Sequence, residues 1–196
     1  MSYDTSIEVR SGKLLDLEDP DPRLINIHDI AHALGFTARF QGHTKFFYSV
    51  AQHSVFVTDL VKKNGGDLDT QFAALLHDAH EAYLGDIPTP LKRALRAAGT
   101  AYDQLTRLVD KAVGERFGID PALFHCDLVR QCDAAALIIE GRQLLESEGK
   151  WLHADVSEEM LQLGGIHSHI EHAEPFSLAI EDFLLYAEFF RLNLES

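Results

Sequence analysis

The sequence predicts an all-α fold, a single compact helical domain of 196 residues. Two observations carry this prediction. Apolar residues recur at helical spacing in the segments after residue 25, and no repeat, low-complexity stretch or long linker divides the chain. The expected parts are an N-terminal strap at 1–24, a motif-bearing core at 25–143, and C-terminal helices with a loop at 144–196.

The predicted elements follow in order along the chain. The opening segment is rich in turn residues and ends in a Pro-Asp-Pro break, which favours a small hairpin or a strap across the helices. Helices are predicted at 26–35, 47–64, 68–84, 88–98, 100–117, 121–148 and 175–193. The stretch between Gly164 and Pro175 is predicted to be a loop, with His167, His169 and His172 exposed to solvent.

The most informative motif is the segment LLHDAHEAYLGDIPTPLK, centred on His77 and Asp78. The apolar spacing before it predicts that the motif lies on a helix. Residues four apart on a helix share a face, so His77 and Glu81 should point together with Asp78 beside them. One imidazole and two carboxylates on one helical turn can hold a divalent metal and position a water. The motif therefore predicts hydrolysis.

Two residues from other helices complete a candidate metal site. His53 lies beside the apolar stripe of the helix at 47–64, where a buried imidazole needs a partner. Asp133 precedes seven residues rich in Ala, Leu and Ile, where a carboxylate is costly unless it is paired or binds metal. His53, His77, Asp78 and Asp133 thus form a two-nitrogen, two-oxygen set. The alternatives are a core role for His53 and a surface pair between Asp133 and Arg130.

The order and setting of these residues resemble the HD-domain metal-dependent phosphohydrolases, whose ligand pattern is His, then His-Asp, then Asp. The chain is most similar to bacterial 5'-deoxynucleotidases and to small phage-type HD dNTP triphosphohydrolases, including those that hydrolyse dATP. The stretches INIHDIAHALGFTARFQGH, FYSVAQHS and LLHDAHEAYLGDIPTPLK carry the resemblance. Together with the Asp133 helix it covers residues 25–143.

The resemblance implies two catalytic carboxylates and an arginine that holds phosphate. Glu81 would orient or activate the attacking water, and Asp86 would complete the polar wall near the scissile phosphate. Arg39 would clamp phosphate oxygens, with substrate rather than a protein carboxylate as its partner. Lys92 is the second phosphate candidate. Its alternative is a solvated lysine in the run KRALR.

Two further residues are candidates for the pocket wall. The related deoxynucleotidases place a Trp after the arginine, whereas this chain has Phe40, a ring that still permits stacking on a base. His43 follows Gly42 shortly after Arg39, and it is the other candidate.

The expected function is hydrolysis of deoxynucleotide phosphates, as a dNMP 5'-nucleotidase or a dNTP triphosphohydrolase. One divalent ion is expected, and His and Asp ligands admit Mn, Co, Fe, Ni or Zn. The alternatives are a two-metal HD-type phosphodiesterase or oxygenase and a non-enzymatic HD regulatory module. Two-metal members need extra histidines between the His-Asp pair and the final Asp, where this chain has only His80 and His125. The position of His80 beside the first site favours one metal.

Charge and composition limit the partners. A net charge of -14 should repel nucleic acid and anionic lipid. The expected partner is therefore a small deoxynucleotide, with no nucleic acid and no membrane. A homo-oligomer is compatible with the sequence. No run approaches the roughly 18 apolar residues of a membrane span, and the N-terminus lacks the pattern of a signal peptide. Cys126 and Cys132 lie six apart, poorly placed to form a bridge. The chain is therefore predicted to be cytoplasmic, with free thiols.

Overall fold

The computed structural model describes residues 4–153, 156–165 and 174–194. It confirms the all-α prediction, and the strands of the described ranges form one small sheet. Strands β1 (Ser6–Glu8) and β2 (Leu14–Asp16) pair antiparallel, which confirms the hairpin in the N-terminal segment. The α-helices are α1 (Ile27–Phe36), α2 (Val50–Lys63), α3 (Leu68–Leu76), α4 (Glu81–Leu84), α5 (Thr89–Ala97), α6 (Tyr102–Phe117), α7 (Asp127–Leu144), α8 (Glu158–Gly165) and α9 (Phe176–Leu194).

Helix α2 is the central element because it is buried on two sides. On one side it contributes to a core with α1, α3 and α9, in which Ile30, Phe72 and Phe183 are buried. On the other side it packs on α7 and α8 through a second cluster that includes Val61 and Ile139. A residue on α2 can therefore reach α3 and α7 at once. His53 is such a residue.

The helix predicted at 68–84 is interrupted. Helix α3 ends at Leu76, and a turn at 77–80 separates it from α4. In this turn the backbone N–H groups of Ala79 and Glu81 donate to carbonyls three residues back. In such a turn residues three apart share a face, which brings Glu81 beside Asp78. The motif therefore does not lie on one continuous helix, and Glu81 groups with Asp78 and His80.

Other predicted helices differ at their ends. The second begins at Val50 rather than 47 because Ser49 caps it: the Ser49 hydroxyl accepts from the Gln52 N–H, and the Gln52 side chain accepts from the Ser49 N–H. The helix predicted at 121–148 consists of a 3-10 turn, Pro121–His125, followed by α7. Helix α8 was not predicted. The histidine loop with His167, His169 and His172 lies outside the described residues.

Two simpler expectations also have an outcome. Cys126 and Cys132 are free thiols, as predicted. No helix in the described ranges has both the length and the apolar character that crossing a membrane requires.

Candidate metal centre

The structure brings the four predicted ligands together from three parts of the chain. His53 comes from α2, His77 and Asp78 from the turn at 77–80, and Asp133 from α7. His53 Nε2 lies 3.1 Å from Asp133 Oδ1 and 3.5 Å from Asp78 Oδ2, and His77 Nε2 lies 3.3 Å from Asp78 Oδ2. Donor atoms around a tetrahedral ion at 2.0–2.2 Å are roughly 3.3–3.6 Å apart. We call these four residues the metal centre.

Both imidazoles present the same nitrogen to this centre. His53 Nδ1 is 2.7 Å from Glu140 Oε1, and His77 Nδ1 is 2.7 Å from the Ala74 carbonyl oxygen. With the Nδ1–H groups donated in this way, the Nε2 lone pairs point inward. Both Nε2 atoms are buried without a hydrogen-bond partner in the described part of the chain. Buried nitrogens of this kind, facing carboxylates, fit a metal ion, and His53, His77 and Asp133 form a group able to hold one.

The charges at the centre are strongly coupled. Burial opposes protonation of His77, yet Asp78 and Asp133 raise its pKa to about 9. Burial and Arg39 oppose protonation of His53, and Glu140 and Asp133 still raise its pKa to about 9. The pKa of Asp78 is held well below its usual range, against the effect of burial, by His77 and His53. The carboxylates therefore require positive charge between them, supplied by protons or by a metal ion.

Glu140 is a site residue that sequence reasoning missed. It is fully buried on α7, where Oε1 contacts His53 and Oε2 accepts a hydrogen bond from Arg39 Nη2 at 3.0 Å. Glu140 lies seven residues, or two helical turns, after Asp133, and residues at this spacing share a face of a helix. This spacing was the feature of the sequence that could have identified Glu140 as a site residue. The expectation that Arg39 has no protein carboxylate as partner is therefore wrong. Its role toward phosphate stays a prediction.

The two predicted catalytic carboxylates lie beside the centre. Glu81 is 3% exposed; its Oε1 is 3.5 Å from Lys92 Nζ, and its Oε2 has no hydrogen-bond partner among the described residues. Burial, together with Asp78 and Asp86, raises the pKa of Glu81 well above its ordinary value. Asp86 is half-buried, and burial raises its pKa too. Lys92 is thus turned toward the site, unlike a freely solvated lysine.

The predicted pocket residues have different positions. Phe40 has a φ of 52°, and its ring centroid is 5.6 Å from the Arg39 guanidinium carbon. The next residue, Gln41, also has a positive φ and donates from its side chain to the Asp86 carbonyl oxygen. This turn therefore links Arg39 to the segment that carries Asp86. His43 is exposed, and no side-chain contact among the described residues joins it to the metal centre.

A second polar cluster adjoins the metal centre. Asp110, from α6, is 4% exposed; its Oδ1 lies 3.1 Å from His80 Nδ1 and its Oδ2 lies 3.1 Å from His125 Nε2. Asp110 was not predicted as a site residue. A cavity of about 220 Å³ opens beside this cluster. Its walls include the metal ligands His77, Asp78 and Asp133 and the cations Lys92, Arg96 and Arg130.

Comparison with known proteins gives relatives without a stated activity. No protein-family model matches the sequence. The chain is 43% identical over 129 residues to an uncharacterized protein of Rhodobacter capsulatus, a match that covers 64% of each chain, slightly less than two thirds. It is 37% identical over 145 residues to the uncharacterized protein YfdR of Escherichia coli strain K12, covering 74% of this chain and 75% of YfdR.

Proposed function

The chain belongs to the family of YfdR, and we propose that it is an HD-type metal-dependent phosphohydrolase that acts on deoxynucleotide phosphates. The observation that carries the proposal is the pair of buried Nε2 atoms of His53 and His77. They lack hydrogen bonds among the described residues and converge with Asp78 and Asp133. This donor set, in this order along the chain, is the set that the resemblance to HD phosphohydrolases implies.

The metal centre would hold one Mn, Co, Fe, Ni or Zn ion through His53, His77, Asp78 and Asp133. When bound, such an ion polarises a phosphoryl oxygen and lowers the pKa of a water. Glu140 and the Ala74 carbonyl keep the two imidazole rings oriented for this purpose through their Nδ1 atoms.

Glu81 is the proposed acid and base of the reaction. Its carboxylate is buried next to Asp78, and its raised pKa brings it toward the pH range in which general acid and base catalysis is efficient. The water oxygen would form a bond to phosphorus as its proton passes to Glu81, the bond from phosphorus to the leaving oxygen would break, and Glu81 would pass the proton on to that oxygen. Lys92 and Arg39 would offset charge on the phosphoryl oxygens.

A local concentration of cations supports a small anionic substrate. The protein carries a net charge of -14, yet Lys92, Arg96 and Arg130 line the cavity that adjoins the metal ligands. The same walls carry Asp78, Asp103 and Asp133, which balance the three cations, so a bound divalent ion would make the cavity net positive and attractive to an anion while the remaining surface stays repulsive. The same ligands serve attack on a monophosphate or on the α-phosphorus of a triphosphate.

The test is to load the protein with each of the five metals in turn and to incubate it with dNMPs and dNTPs. Released phosphate and triphosphate are measured as the products. We expect the native chain to hydrolyse one or more of these substrates. Asp78→Ala and His77→Ala should lose both the hydrolysis and the bound metal. Glu81→Gln should retain the ion at the metal centre but lose roughly 10²-fold or more in turnover.

Asp127→Asn is the matched control for Asp133→Asn because both carboxylates lie on α7, and the Asp127 side chain is 85% exposed. Only the Asp133 variant should lose metal and activity. If metal-loaded native protein hydrolyses none of these substrates, or if Asp78→Ala keeps full activity, the proposed function is wrong.

A further inference from the structure

Three side chains next to the metal centre form a second group of potential metal ligands. Asp78, His80 and Glu81 each offer one donor atom, and these atoms lie within 4.8 Å of one another. They come together because of the turn at 77–80, where hydrogen bonds to the third residue back bring Glu81 beside Asp78. Asp78 is common to both groups because its Oδ2 also faces His53 and His77 at 3.5 and 3.3 Å.

His80 is held in the way that a metal-binding histidine is held. Its Nδ1 is 3.1 Å from Asp110 Oδ1, and both residues are at least 95% buried. An Nδ1–H donated to Asp110 leaves the lone pair on Nε2, as the Glu140 contact does for His53. The second oxygen of Asp110 is engaged by His125, which fixes the orientation of the carboxylate.

Glu81 contributes the second, independent observation. Its side chain is 2% exposed, and Oε2 is buried without a hydrogen-bond partner in the described ranges. Lys92 Nζ approaches the other oxygen, Oε1, at 3.5 Å. A buried carboxylate oxygen with no partner is costly, whereas a cation bound between Glu81, Asp78 and His80 would satisfy it.

We propose that Asp78, His80 and Glu81 bind a second divalent cation next to the metal centre, with Asp78 shared between the two sites. One nitrogen and two oxygen donors suit Mn²⁺, Fe²⁺, Co²⁺ or Zn²⁺ better than a hard oxygen-seeking ion such as Ca²⁺. Three protein ligands and a neighbouring lysine make this site weaker than the metal centre. The binding of this ion is independent of the proposed hydrolysis, and only its use in catalysis rests on that function. With the ion bound, Glu81 is a ligand, so the acid and base role given to Glu81 above belongs to the form with one ion.

The test is metal stoichiometry on the full chain. Protein stripped with a chelator is titrated with Mn²⁺ by calorimetry, and bound metal is counted by elemental analysis after gel filtration. We expect two ions per native chain, one tight and one weaker, and one ion in His80→Ala and in the nearly isosteric Glu81→Gln. Retention of the tight ion in both variants shows that the fold is intact.

His125→Ala is the comparison variant because it removes a contact to Asp110 without removing a ligand, so the second ion should bind at most slightly less tightly. It should bind two ions, and Asp110→Asn should weaken only the second ion, by roughly 10–100-fold. One ion per native chain at saturating Mn²⁺, two ions in His80→Ala, or equal losses in His80→Ala and His125→Ala would overturn the proposal.

Electron paramagnetic resonance locates the second ion. Two Mn²⁺ ions that share Asp78 should give an exchange-coupled signal that His80→Ala replaces by the signal of a single ion. Two uncoupled signals would place the second ion elsewhere and contradict the proposal. Two coupled ions without any hydrolysis would refute the proposed function and support the second metal site. Hydrolysis with only one ion per chain would support the proposed function and refute the second metal site.

Discussion

Glu140 shows, at the scale of a single residue, how the metal centre is held. Its carboxylate is fully buried between His53 and Arg39. Burial opposes ionisation, but His53 and Arg39 keep the pKa of Glu140 below its ordinary value. The ionised group therefore favours the His53 tautomer with its proton on Nδ1 and its Nε2 lone pair facing Asp78 and Asp133, where a metal ion would bind.

Glu140→Gln should weaken metal binding at the centre by roughly 10–100-fold, because an amide orients the imidazole less firmly than a carboxylate. Calorimetric titration with Mn²⁺ measures the change. Glu146→Gln is the control, since Glu146 is exposed just beyond the end of α7. Equal affinities in the two variants would show that Glu140 does not position His53.

Arg39 has two testable roles. It stabilises the fold through its buried ion pair with Glu140, and it is the residue proposed to hold the substrate phosphate. Arg39→Ala removes the guanidinium partner of the buried Glu140 carboxylate and should lower the free energy of unfolding by about 3–5 kcal/mol, measured in urea. In variant protein that is still folded, kcat/KM for nucleotides should fall by roughly 2–4 kcal/mol in barrier terms, with partial recovery in Arg39→Lys. A stability loss with unchanged kcat/KM would leave Arg39 with a structural role only.

Metal affinity should depend on pH because the metal competes with protons. Asp78 and Glu140 outweigh burial and raise the pKa values of His77 and His53 to about 9. Below that pH each imidazole must lose a proton before it binds metal, so affinity falls as pH falls, by roughly tenfold per pH unit for each proton displaced. Mn²⁺ titrations from about pH 6 to pH 9 test this, and affinity that is constant below pH 8 would contradict it.

At the scale of elements, the interruption between α3 and α4 matters most for the site. A continuous helix would place Glu81 on the face of His77, whereas the turn at 77–80 groups Glu81 with Asp78 and His80. His77 Nδ1 takes the Ala74 carbonyl oxygen at the same point. One short segment thereby supplies donors to two neighbouring groups.

The packing of α1 on α9 depends on a glycine. A Cβ added at Gly35 would lie 2.4 Å from Ile180 Cγ1. Gly35→Ala should therefore destabilise the protein by about 1–3 kcal/mol through overpacking. In an Ile180→Ala background the same change should cost clearly less, because the obstructing atom is absent. Urea unfolding of the four proteins in this cycle gives the coupling energy, and purely additive effects would rule out the steric explanation.

At the scale of the whole molecule, the candidate metal centre joins α2, the turn at 77–80 and α7, so a metal ion bound there would couple metal binding to folding. A metal at 100 times its dissociation constant should add about 2.7 kcal/mol of stability, a rise in Tm of roughly 5–10 °C for a chain of this size. Thermal unfolding with and without chelator measures this. The shift should vanish in Asp133→Asn and persist in Asp127→Asn; an equal shift in both would place the metal elsewhere.

The all-α class, most helix positions and the four residues that the fold brings together at the candidate metal centre were predicted from the sequence. These predictions depend on short-range properties: the spacing of apolar residues along a helix and the cost of burying an unpartnered imidazole such as that of His53 among aliphatic neighbours. The N-terminal hairpin was predicted for the same reason, from its turn residues. The boundary errors at Ser49 and at residues 121–126 arose where a cap or a short turn competed with helix continuation.

Only the tertiary structure decided which charged groups serve the site. Glu140 contacts Arg39 across 101 positions of sequence, and Asp110 contacts His80 across 30. In the sequence both carboxylates resemble solvated helix residues, because their burial depends on which helix packs over them. The split between α3 and α4 was not predicted, because the apolar spacing favours one helix through the motif. Whether Glu81 belongs with His77 or with Asp78 and His80 thus depends on geometry that spacing along the chain does not contain.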